Sequence, residues 1–392
     1  MKNKNIGLVY ASRFISSIGD QFYTLALSTT LYTLTGSALA STGYLAIKGL
    51  VYILGLFIYR SPKPDKVKQI VIFGDYARGL LTLLLLFLMK EYFYGIYFVV
   101  FFMELIQLYY SPARVLLVHN LSNTKQLSHK LDQIITTLSL TLGLSAGGFV
   151  TFYFGGYNAI LINGITFFIC GTLSCFIKYR NSEIKDKNNT YPIKWLFRKS
   201  IFQRNYVTLF SLFSLPAFAF NSLIVVYIFQ ILQGDSRLYG IVESVMAIGL
   251  FVGSVVSLKK GKDLVTRIKM NSLYLVLMGC LYTLSLVYTN FLWFSTILFL
   301  SAVINMLYSS YYRAAMSEIF NDSNDLANAW TINRSIINLC GSLGIFAFSM
   351  LSDMTNIVFA MTSSGMLLTI IGVFVSIKFS GTSTILKKEI ET

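Results

Sequence analysis

Tyr109-Tyr110-Ser111-Pro112-Ala113-Arg114 and, 199 positions later, Tyr308-Ser309-Ser310-Tyr311-Tyr312-Arg313 open on the same residue and close on the same residue. Leu127 and Leu326 keep the same offset. Each stretch ends one apolar run and leads into the next, 95–117 into 131–155 and 292–313 into 327–350. Ser37 through Tyr59 likewise resembles Ser236 through Leu258, each an apolar run followed by a basic connection. A chain that repeats at this distance is built from two similar halves.

Outward from these stretches, apolar runs fall at 6–34, 37–59, 70–89, 95–117, 131–155 and 158–177. After a polar, basic interval they resume at 205–232, 238–258, 270–288, 292–313, 327–350 and 357–378. A membrane crossing takes about 20 residues, so twelve take roughly 240 of them, which a chain of 392 accommodates. Hydrophobic residues make up 55% and charged residues only 12%, against roughly 25% charged in soluble domains, and the mean hydropathy is +0.64. A soluble enzyme and a disordered chain are excluded. The expectation is an all-α membrane protein of twelve transmembrane helices in two pseudo-symmetric six-helix bundles, 1–177 and 205–378. A basic linker (178–204) joins them and a tail (379–392) follows. Two parallel six-helix repeats are the mark of a transporter fold with its substrate site between the halves. Within the linker, aromatic and basic residues alternate from Tyr191 to Phe202, which suits a helix lying on the inner leaflet; a solvated tether is the other reading.

The net charge of +15 belongs to connections rather than to a nucleic-acid surface. With the N-terminus inside, 24 of the 32 basic residues fall in inner segments, and only Lys90 and Arg237 fall outside. That bias places both termini in the cytoplasm, in the cell membrane. The first apolar run has no cleavage site after it and reads as a retained helix. Cys170, Cys175, Cys280 and Cys340 lie in apolar runs and read as small, buried packing residues. The two histidines, His119 and His129, lie in a polar connection, so no metal site is expected.

Four motifs then carry a resemblance. They are Arg13-Phe14-Ile15-Ser16-Ser17-Ile18-Gly19-Asp20, Asp65-Lys66-Val67-Lys68 with Gly74-Asp75, Ser111-Pro112-Ala113-Arg114 with Leu127, and Gly143-Leu144-Ser145-Ala146-Gly147-Gly148. Together they resemble the major facilitator superfamily over nearly the whole chain, and within it the macrolide-efflux type of drug/proton antiporter. The chain departs from the family pattern in three places. Tyr59 through Pro64 precede Asp65, Met103-Glu104 stand at the level of the family's buried helix 4 arginine, and Leu144 replaces the helix 5 proline. The resemblance implies that helices 1, 4, 7 and 10 line the cavity, so that Asp20 and Glu104 look across one space.

Charges at mid-bilayer cost about 2.5–3.5 kcal/mol each on insertion scales, so they face water, cargo or one another. Asp20, Glu104 and Lys48 are at mid-depth. Arg13 shares the face of Asp20, and Gln107 that of Glu104. Asp20 and Glu104 are the expected proton carriers, with Lys48 either in the cavity or bridged to one of them. Asn221 and Asn305 supply hydrogen bonds from the second half or pack polar helix faces. Asp75, Arg78, Arg114, Asp132, Arg313, Glu318 and Arg334 lie near the inner ends and suit a gate of ion pairs, or surface charge. Glu243 lies near the outer end of its helix, as an outer gate or an exposed group.

These residues point to a secondary active transporter, most simply proton-coupled efflux of amphipathic or cationic small molecules by a monomer in the lipid bilayer. A symporter or an exporter of a dedicated metabolite or peptide is the runner-up, and an uncoupled lipid scramblase belongs to another class. No phosphate-binding loop of the form GxxxxGK[ST] occurs, so the energy source is expected to be a proton gradient, with no cofactor. No catalytic constellation suggests an enzyme.

Overall fold

The computed structural model describes residues 2–58, 66–91, 94–121, 125–178, 197–257, 263–320 and 323–380, and every long element among them is an α-helix. These are α1 (Lys2–Thr35), α2 (Ala38–Ile58), α3 (Val67–Glu91), α4 (Gly95–Leu121), α5 (Lys125–Phe154), α6 (Gly156–Cys175), α7 (Ile201–Ser211), α8 (Ser214–Gln230), α9 (Ser236–Ser257), α10 (Leu264–Ser285), α11 (Phe291–Ile319), α12 (Ser323–Met354) and α13 (Ile357–Lys378). Among the described residues nine helices are long and apolar enough to cross a membrane, counting α7 and α8 as one. α5 adds a shorter apolar stretch, Leu138–Phe154. α1 is diluted by Arg13, Asp20, Gln21 and a run of Ser and Thr. The twelve crossings read from the sequence go beyond that set of nine.

Solvent preference is inverted, as a bilayer requires. Phe73, Leu80, Leu84 and Phe87 line one exposed face of α3, and Met366, Ile370, Phe374 and Ile377 one face of α13. Asp75, Arg78, Asn163, Asn271 and Asn333 are buried instead. Apolar stripes facing outward over a polar interior are stable where lipid is the surrounding solvent.

Two compact units divide the chain. One comprises Met1–Lys187 with Gln233–Ser244, the other Asn188–Leu232 with Val245–Thr392, so the boundary falls within α9. In the first unit α1 packs on α5 and α6, and α3 on α4 and α6. The start of α9 lies along α5. Gly148 and Gly240 let the two backbones approach so closely that a Cβ on Gly148 would stand 2.7 Å from the Gly240 Cα. Ser145 Oγ donates to Ser244 Oγ at 2.6 Å on one side of that contact. On the other, the Arg237 guanidinium lies 3.7 Å over the Phe152 ring.

Asp235 caps α9, accepting from the backbone N–H of Arg237 (2.9 Å) and Leu238 (3.1 Å). Partial burial opposes ionisation, but the Arg237 guanidinium and these two N–H groups outweigh it and hold the carboxyl below its ordinary range. The cap's contribution is therefore complete above the unfolded carboxylate pKa and is lost as pH falls through the folded one. Hydrogen exchange at the Leu238 amide, corrected for intrinsic rate, is expected to rise steeply only below pH ~4. A flat protection profile through that range would show that Asp235 does not hold the helix end.

In the second unit α10 packs on α11 and α13, and α12 on α8. The break between α7 and α8 has a local cause. Pro216 has no N–H to offer the Leu212 carbonyl, and its ring would collide with it. Leu215 N–H takes that carbonyl instead, at 3.1 Å. Tyr206, Tyr308 and Tyr312 stack beside the break, with ring centroids 5.2 and 5.9 Å apart. Their hydroxyls are satisfied, Tyr308 donating to Phe210 O (2.7 Å) and Tyr312 to Asn333 Oδ1 (2.8 Å).

The α12–α8 contact admits no side chain at Gly344. A Cβ there would fall against the Leu215 carbonyl, which is backbone and cannot rotate away, whereas one on Gly341 would meet only the Phe218 ring. Gly344→Ala is expected to destabilise the unit by about 1–3 kcal/mol or more, and Gly341→Ala by less. Thermal unfolding of the two purified variants side by side checks the order, and equal losses would contradict it.

Two expectations are corrected. Cys170 is buried and Cys340 half-buried, but Cys175 and Cys280 are exposed, on outward helix faces. The interfacial helix does not run through Phe202, because Ser200 caps a new helix there by accepting from Gln203 N–H at 3.2 Å. Residues 191–196 lie outside the described residues.

Candidate functional site: acids and guanidiniums of the first unit

Close packing of α1 on α6 orients Asp20. Its neighbour Gly19 faces Asn163 and Thr166 of α6 with no room for a side chain, which turns Asp20 about 100° off that seam. The Asp20 carboxylate is half-buried and has no side-chain hydrogen bond or ion pair among the described residues. Arg78, Arg114, Glu104 and Asp75 all lie within its electrostatic range. Glu104, on α4, is half-buried and unpaired on the same terms. Tyr23 and Tyr44 lie within range of Glu104. Their rings meet edge to face at 6.4 Å, and the Tyr44 hydroxyl is anchored to Ser28 Oγ (2.7 Å) and Thr24 O (3.0 Å).

Toward the other end of α4 stands a basic group. Arg78 donates to Asp75 Oδ1 (2.7 Å), Gln107 Oε1 (3.1 Å) and Gly74 O (3.3 Å). Its guanidinium packs on the Tyr110 and Phe167 rings, 3.9 and 4.3 Å from their centroids. Arg114 Nη1 donates to the Tyr110 hydroxyl at 2.6 Å. Among its described residues the first unit thus holds two carboxylates without a side-chain partner along α1 and α4 and, on α3 and α4, a cluster of two buried cations with one paired anion.

The remaining residues read from the sequence are more scattered. Arg13 is half-buried on α1. Lys48 is exposed on α2, and no ion pair bridges it to Asp20 or Glu104 among the described residues. In the second unit Asn221 Nδ2 donates to the Tyr282 hydroxyl at 3.3 Å, and Asn305 is half-buried on α11. Asp75 and Arg78 pair three residues apart on one helix, and so do not tie separate helices by themselves. Arg313 is exposed, its Nε donating to Ser309 O at 3.2 Å, and Arg334 is exposed on α12. Glu318 pairs with Arg267, a residue that sequence reading passed over, as it did the Lys199–Asp325 pair. Glu243 is half-buried one turn from Tyr239, in the electrostatic range of Tyr44. The side chain of Asp132 lies outside the described residues. Among the described residues no group of His, Cys, Asp and Glu is arranged to hold a metal ion.

The profile of the Major Facilitator Superfamily matches residues 9–349. No curated protein matches the chain. Among solved structures, a bacterial homolog of the human lysosomal transporter Spinster, inward-facing and unoccupied, superposes with TM-score 0.74 at 10% identity, covering 98% of each chain. The peptide transporter POT in complex with alafosfalin gives 0.72 at 11%, covering 95% of this chain and 93% of its own. A bacterial homologue of the iron transporter ferroportin, inward-facing, gives 0.67 at 14%, covering 95% and 98%. At these identities the likeness is one of fold.

Proposed function

Because the chain belongs to the Major Facilitator Superfamily, we propose that it is a proton-coupled exporter of amphipathic, cationic small molecules working by alternating access. The coarser statement, a membrane transporter of small molecules, rests on the family itself. One observation carries the finer one: Asp20 and Glu104 are in each other's electrostatic range and half-buried, and their carboxylates have no hydrogen-bond partner among the described residues. Carboxylates committed to structure are paired or bonded. These two are left to water, protons and cargo, and a proton taken by either would weaken its hold on a cation. Because the proton and the cargo compete for the same charge, binding one releases the other, which supplies the differential affinity that exchange needs.

Inside-out vesicles test it. A pH gradient, acid inside, is expected to drive uptake of a lipophilic amine dye and to release protons on its addition, and an ionophore that collapses the gradient should end both. Uptake that ignores the gradient would remove the coupling. Uptake that runs only with the gradient reversed would favour the symport reading, which the excess of buried guanidinium charge near Asp20 also supports for an anionic metabolite or peptide. Lipid equilibration without any gradient would favour a scramblase.

A further inference from the structure

Of the two guanidiniums that α3 and α4 bring into the first unit, one is balanced and the other is not. Arg78 has Asp75, Gln107, a backbone carbonyl and two aromatic faces. Arg114 is 9% exposed, and its Nη1 rests on a neutral phenol. Its Nη2 is buried and meets no hydrogen-bond acceptor among the described residues. Asp75 stands beside the Tyr110 hydroxyl, but its Oδ1 pairs with Arg78 and its Oδ2, buried without a partner among the described residues, makes no hydrogen bond or ion pair with Arg114. Asp20 is in electrostatic range of both guanidiniums and within ion-pair distance of neither. A buried cation with a bare N–H edge is strongly unfavourable until an anion completes it.

We propose that the free Nη2 of Arg114, beside the Tyr110 ring, is the anchor of a subsite for a small oxyanion, a carboxylate or a phosphate. A guanidinium edge presents forked N–H donors at the spacing of two oxygens, which is why arginine rather than lysine holds such groups in apolar surroundings. Should the oxyanion belong to cargo, the inference deepens the transport reading and rests on it. Glu104 lies ten residues earlier on the same helix, ~15 Å away along its axis, so the cargo would be a zwitterionic amphiphile with its cationic end at Glu104. A lipid headgroup phosphate offers the same chemistry.

The test measures thermal unfolding of the full chain in phosphate-free detergent. Inorganic phosphate or acetate is titrated against sodium chloride at constant ionic strength, and the series is repeated in nanodiscs of phosphatidylcholine with or without phosphatidylglycerol. Both free oxyanions are expected to raise the midpoint above the chloride value. Arg114→Gln should weaken the apparent affinity about tenfold or more, and Lys269→Gln, an exposed control, should not. Arg114→Lys keeps the charge without the fork and should also bind more weakly, which preserves the test if the glutamine variant fails to fold. A response confined to phosphatidylglycerol, and dependent on Arg114, would identify a headgroup as the occupant. Glu104→Gln should retain the phosphate response, so a failure of the transport reading is distinguishable from a failure here. Equal responses in wild type and both Arg114 variants, or no response to any oxyanion, would overturn the proposal.

Discussion

Glu104→Gln is expected to fold normally and to lose pH-gradient-driven transport altogether. The substitution keeps side-chain size and replaces the ionisable carboxyl with a neutral amide that neither carries the charge nor titrates. It orphans no donor, because no protein group among those described bonds to the Glu104 carboxylate. Stability should therefore change little, and the midpoint of thermal unfolding is expected within ~0.5 kcal/mol of wild type. Transport should not survive, because the step that exchanges cargo for a proton has lost its proton. Asp20→Asn is a different case. Asp20 sits in the field of both Arg78 and Arg114, and neutralising it leaves their surplus positive charge less screened, so that variant should lose stability as well as transport. Gradient-driven dye uptake in vesicles, paired with unfolding curves of both variants, separates the two outcomes. Full uptake by Glu104→Gln would dismiss Glu104 as the coupling group.

Depth along a helix was legible in the sequence, and company across helices was not. Each polar residue within an apolar run could be placed by counting from the run's ends, which located Asp20 and Glu104. The runs fell short of the helices they mark, 70–89 against Val67–Glu91 and 131–155 against Lys125–Phe154, since hydropathy registers the apolar core while backbone hydrogen bonding continues into the polar ends. The break at Leu212 could have been read from Pro216, four residues on. Pairs at helical spacing, Asp75 with Arg78 and Tyr110 with Arg114, were within reach of the same counting. Gln107 meeting Arg78, Phe167 stacking on it, and Arg267 meeting Glu318 join residues 29 to 89 positions apart. Those contacts follow from how α3, α4 and α6, or α10 and α11, lie against one another, which no periodicity encodes. Even the repeat that revealed the halves does not carry environment with it. Arg114 is buried on Tyr110, whereas its counterpart Arg313 is exposed.

The largest loss of stability is expected from Asp75→Ala. Asp75 is wholly buried and Arg78 nearly so, 2.7 Å apart, and the guanidinium is packed against the Tyr110 and Phe167 rings rather than water. Removing the carboxylate leaves a buried charge without its partner, a change that costs about 3–5 kcal/mol in comparable sites. Asp75→Asn should cost less, since an amide oxygen still accepts from Arg78. Arg78→Met would fill the slot between the rings but strand the carboxylate. The double variant Asp75→Ala/Arg78→Met removes both charges and keeps an apolar chain between the aromatic faces, so it should recover much of what either single change loses. A double-mutant cycle on unfolding in detergent reads that recovery directly, and losses that simply add would show the two residues to be independent. Recovery of stability need not restore transport. Arg78 also stands in the field of Asp20, so a double variant that folds well yet shifts the pH dependence of dye uptake would separate the pair's part in holding the helices from its part in setting the charge around the proton site.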